Sequence, residues 1–102
     1  MTAPAFDEII HNPVRLRACA MLAGLEYAAF PVLRDELGVS DSVLSKHLAT
    51  LEEVGYVRLA KATSEGRLRT SVSLTAEGRA AYDGHVAALR RIVAGEPTSS
   101  ST

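Results

Sequence analysis

The sequence predicts a mainly α fold carrying one small β-hairpin, α+β in class. Three observations predict it. Leu44, Leu48 and Leu51 recur at i, i+4 and i+7, the spacing of one helix face. From Tyr56 the period changes to alternation, over 56–62 and again over 68–74, about a Gly-containing turn at Ser64-Glu65-Gly66-Arg67. After Leu74 the helical period returns, with Tyr82, Val86, Leu89 and Val93 at i, i+4, i+7 and i+11.

Taken in order, residues 1–5 carry no pattern and read as a loose end. Phe6, Ile9 and Ile10 suggest one or two turns of helix. Asn12-Pro13 then restarts the chain, Asn as cap and Pro at the first helical position. Val14, Ala18, Met21, Leu22 and Leu25 face inward on the next helix, which ends near Gly24 and Glu26, with Arg15 and Arg17 solvated. Tyr27-Ala28-Ala29 has room for a single short strand. Phe30-Pro31 opens a short helix with Leu33 and Leu37 inward. Gly38 fits the left-handed position after a helix, Ser40 caps the next one, and Val39 and Leu44 have staple spacing. Two helices and this tight turn make a helix-turn-helix over 31–54.

Opposite the three leucines of the second motif helix lie Ser42, Ser45, Lys46, Ala49 and Thr50. A helix that enters a DNA major groove needs such a face: small, polar, with donors near its N-terminus. The hairpin over 56–74 places Val57, Leu59, Leu68, Val72 and Leu74 inward, with Arg67 at its tip and Lys61 and Arg69 on its arms. Thr75 caps the last helix, 76–93. Its two-per-heptad stripe of Tyr82, Val86, Leu89 and Val93, widened by Ala81, Ala88 and Ile92, has the narrow form of a helix-pairing seam rather than the broad stripe of a helix lying on a core. Residues 95–102 form a polar tail expected to be disordered.

Composition limits the alternatives. The 102 residues suffice for one domain, here 6–94, and the net charge is −1. Over 40–70 five cations face four anions, a local balance of +1, so two copies on one duplex serve binding better than one. No apolar run approaches the roughly 20 residues of a membrane span, and no export signal opens the chain, so no membrane partner and a cytoplasmic location are expected. Cys19 packs as a small hydrophobe. His11, His47 and His85 sit on separate elements without metal-ligand spacing; His47, beside the inward leucines, has a structural role or reaches a phosphate. No phosphate loop or nucleophile elbow is present, and Asp35-Glu36 and Glu52-Glu53 are solvated pairs. Neither an enzyme, a metal nor a cofactor is expected.

A helix-turn-helix followed directly by a hairpin is a winged helix. The chain resembles the MarR-like winged-helix transcriptional regulators, in particular short stand-alone ones. The likeness rests on Leu33-Arg-Asp-Glu-Leu-Gly-Val-Ser, Leu44-Ser-Lys-His-Leu-Ala-Thr-Leu-Glu-Glu-Val-Gly-Tyr-Val and Leu74-Thr-Ala-Glu-Gly-Arg-Ala-Ala-Tyr. It implies a homodimer paired through its terminal helices, with double-stranded DNA as partner. Ser42, Ser45, Lys46 and Thr50 would then face base edges and nearby phosphates, and Ser40 a phosphate at the helix start. Arg67 and Arg69, with Lys61, would be wing contacts. The wing is less basic than in many such regulators, and the chain is shorter than those whose long terminal helices frame a small-molecule pocket; no effector is assigned. The alternative is a winged-helix module that binds protein instead of DNA.

Overall fold

The computed structural model describes residues 3–96. Seven elements follow in order: α1 (Pro13–Ala23), β1 (Ala28–Ala29), α2 (Phe30–Leu37), α3 (Asp41–Glu53), β2 (Val57–Ser64), β3 (Arg67–Leu74) and α4 (Ala76–Val93). The sheet is antiparallel, in the order β1-β3-β2.

Each helix starts where its sequence allows. The Asn12 side chain accepts from the amides of Val14 and Arg15, and Pro13 fills the first turn of α1. Gly38 adopts φ 68°, the left-handed cap that closes α2, and Ser40 Oγ accepts from Val43 N to open α3. Leu33, Leu37, Leu44, Leu48 and Leu51 meet Ile10, Leu22, Val57 and Val72 in one core; the three α3 leucines are wholly buried. Cys19 is buried there too; burial, with Asp7 adding and Arg15 opposing, pushes its thiol up to about 11, so it stays protonated.

The hairpin turn spans Ser64-Glu65-Gly66-Arg67. Glu65 and Gly66 both have positive φ, 53° and 73°, so the loop is two residues long and Ser64 pairs with Arg67. At the base of the wing, the Thr75 hydroxyl donates to Gly55 O (2.6 Å) and accepts from Gly78 N (2.9 Å). A Cβ at Gly78 would run into the backbone of Tyr56. That contact explains the Leu74-Thr-Ala-Glu-Gly run: Thr75 caps α4 and Gly78 lets the helix lie on the chain that enters β2.

Four expectations need correction. Residues around Phe6–Ile10 form no helix, only one turn in which Ile10 N donates to Asp7 Oδ1 (3.0 Å) and His11 N to Asp7 O (2.9 Å), because Asn12 and Pro13 start the next helix at once. Ala5 N donates to Gly84 O (2.9 Å), so the end expected to be loose is fastened at that residue. Leu25 is exposed because α1 stops at Ala23. Leu68 is exposed because the hairpin reaches beyond the body it packs on. Residues 1–2 of the expected loose end and 97–102 of the expected tail lie outside the described residues.

Candidate nucleic-acid interface

The α3 helix is anchored by its leucines, so its opposite flank is free. Ser42, Ser45, Lys46 and Ala49 are all exposed. Thr50 is half-buried, and its hydroxyl donates to Lys46 O (3.2 Å); this turns its hydrogen onto its own helix and makes it the least available residue of the face. Ser40 Oγ spends a lone pair on the cap and lies 3.2 Å from Ser42 Oγ, leaving its hydrogen for that neighbour or for an anion. The helix start is electropositive through its free amides.

Asp41 stands at that start, and its charge alone would repel phosphate. Arg34 answers it. The guanidinium donates to Asp41 Oδ1 (2.8 Å) and Asp35 Oδ1 (2.9 Å), and both contacts hold it charged, well above its ordinary range. Arg34 and Asp41 border a groove with Phe30, Val32 and the β3 residues Arg67 to Thr70.

On the wing the register sorts the cations. Residues opposite each other share a face, and Ser64 pairs with Arg67, Ala62 with Arg69, and Lys61 with Thr70. Arg67 and Arg69 therefore share one face, while Lys61 lies on the other, in line with Val57 and Leu59. The structure brings Arg67 and Arg69 together and leaves Lys61 out of that pair. A two-residue turn at Glu65-Gly66 is the sequence signal that would have shown this. Arg58, in pair with Ser73, is exposed on the arginine face and was not among the expected contacts. Arg69 keeps only a loose contact with Glu65 (4.0 Å), both side chains exposed. Among the described residues Arg67 has no carboxylate within 4.0 Å.

Arg15 of α1 and His47 of α3, expected to act separately, form a pair. Arg15 is not simply solvated: its Nε donates to Ile9 O (2.6 Å) and its Nη1 to His47 Nδ1 (3.0 Å). Burial first, then the charges of Arg15 and Lys46, hold His47 below its usual range and hence neutral. Arg17 donates to Glu36 O and Leu37 O, closing the C-terminus of α2.

On α4, Gly78, Gly84, His85 and Ala88 face the body. Tyr82, Val86 and Leu89 are half-buried, and Val93 is 86% exposed. A groove of about 560 Å³ runs along this flank, bordered by Pro4, Tyr82, Val86 and Arg90. Among the described residues no group of three or more His, Cys, Asp or Glu is placed to hold a metal ion, and no helix is long and apolar enough to cross a membrane.

A caped helix-turn-helix flanked by a three-stranded sheet with a projecting hairpin defines a winged helix. The chain belongs to the family described as "Winged helix DNA-binding domain", whose model matches residues 14–93. An uncharacterized protein of Methanocaldococcus jannaschii is 37% identical over 79 residues, 78% of this chain and 86% of that one. A transcriptional regulator homologue of Pyrococcus horikoshii superposes with a TM-score of 0.82 at 28% identity, covering 87% of this chain and 88% of that one. The zinc-responsive MarR family member ZitR of Lactococcus lactis shares the fold at a TM-score of 0.65 and 19% identity, over 87% of this chain and 60% of its own. The fold is thus MarR-like.

Proposed function

We infer that the protein is a sequence-specific transcriptional regulator that binds double-stranded DNA as a homodimer. The observation that carries this is the exposed, small, hydroxyl-bearing flank of α3. In this reading α3 enters the major groove, where Ser42, Ser45 and Lys46 meet base edges and phosphates, with Thr50 at the margin. Ser40 and the α3 N-terminus take a phosphate, with the repulsion from Asp41 lessened by Arg34, which it shares with Asp35. Arg67 and Arg69 reach the backbone or the minor groove as a pair; Lys61 contributes from the other side of the hairpin. Two copies pair through Tyr82, Val86, Leu89 and Val93, so that each reads one half-site about one helical turn from the other.

A net charge of −1 and the exposed Glu52 and Glu53 favour the rival reading, a protein-binding module. Against it, the exposed α3 flank has no aromatic anchor. A gel-shift screen of host genomic fragments at low and moderate salt tests the choice. Retarded fragments sharing a pseudo-palindrome are expected; no retardation even at low salt would refute DNA binding.

A further inference from the structure

We propose that His11 and His85 form a proton-sensitive latch that fastens the N-terminal segment to α4 near neutral pH and releases it in acid. The hydrogen bonds fix the protons. Asp7 N–H donates to His85 Nδ1 (2.9 Å), so that nitrogen carries no proton and the ring's hydrogen is on Nε2. Nε2 lies 3.1 Å from His11 Nδ1 and donates to it, so His11 Nδ1 is bare as well. A proton added to His85 sets N–H against the Asp7 N–H. A proton added to His11 sets N–H against N–H between the two rings. Either event breaks a bond that holds the segment.

The surroundings fit a latch. His85 is wholly buried, and Phe6 packs on both rings at centroid distances of 4.6 and 4.8 Å. Asp7 and Glu8 face His85 from the segment and favour its protonation, while burial and His11 oppose it and together keep it neutral. Tyr56, at the entry to β2, donates to Asp7 Oδ2 (2.6 Å). Cys19 on α1 lies near the same carboxylate, with Arg15 also near the thiol. The segment crosses α4 at Gly84, where a Cβ would press on Ala3 O at 3.3 Å and Ala5 Cβ at 3.4 Å. Pro4 then borders the groove beside Tyr82 and Val86. Release would therefore uncover one edge of the pairing flank; that consequence rests on the dimer proposed above, and the latch does not.

Amide exchange on the full chain, corrected for the intrinsic rate, tests it. The amides of Ala5 and Asp7 report the segment whatever the oligomeric state. Between about pH 7.5 and 5.5 their protection should fall severalfold, up to about tenfold for the loss of one ring's bond, alongside proton uptake by the rings followed by NMR. The variant H11Q/H85Q keeps an acceptor for Asp7 N–H and a donor–acceptor pair between the side chains, and does not titrate; its protection should stay constant. Constant protection in the parent, a fall out of step with both rings, or an equal fall in a folded H11Q/H85Q would overturn the proposal. The parent's two titrations decide the matter alone if the variant does not fold.

Discussion

His85 and His47 show what burial does to a single residue. Both rings are neutral in the folded chain, His85 through burial and its neighbour His11, His47 through burial and the cations Arg15 and Lys46. In the unfolded chain each takes a proton near pH 6.5. Below that pH the unfolded state binds protons that the folded state refuses, so stability is full above about 6.5 and declines as the pH falls toward the folded values. The slope for His85 is at most about 1.4 kcal/mol per pH unit. Urea unfolding at about pH 7.5, 6.5 and 5.5 should show this decline, and His85→Gln should lessen it; equal stability at all three would show that the rings titrate alike in both states.

At the scale of elements, the base of the wing depends on a missing side chain. Ala is intrinsically a better helix former than Gly by about 1 kcal/mol. At position 78 the backbone of Tyr56 occupies the place of the Cβ, and Thr75 N and Tyr56 O are bonded at 3.0 Å beside it. Gly78→Ala should therefore destabilise, by about 2 kcal/mol or more in thermal or urea unfolding; a gain in stability would mean that α4 shifts freely. The elements themselves were readable because local chemistry decides them: Asn12-Pro13, Gly38 and Ser40 mark helix ends, and the α3 leucines repeat at the helical period. Alternation in β3 predicts a face for Leu68, but not whether anything lies opposite it, and the hairpin outruns the body. The parity of Lys61 against Arg67 was present in the sequence once the turn is taken as two residues. The pairing of His11 with His85, and of Arg15 with His47, joins residues 74 and 32 positions apart, and no local pattern carries such information.

For the whole molecule, one core holds two different surfaces outward. Leucines of α3 hold a polar flank outward, and α4 turns Gly84 and His85 inward while leaving apolar side chains at the surface. Val93 is so exposed that Val93→Glu costs the monomer little, yet a charge in the proposed pairing seam should shift the protein toward monomers in sedimentation equilibrium; an unchanged dimer would place the interface elsewhere. The central claim is tested most directly by the salt dependence of DNA binding for the parent and for Lys46→Ala with Arg69→Ala, both exposed positions whose loss leaves the core intact. The double variant should bind an operator fragment at least about tenfold more weakly, with the slope of log K against log salt smaller by about 1 for each lost phosphate contact. The same affinity and slope in both proteins would contradict the assignment of the α3 flank and the wing as the DNA-binding surface.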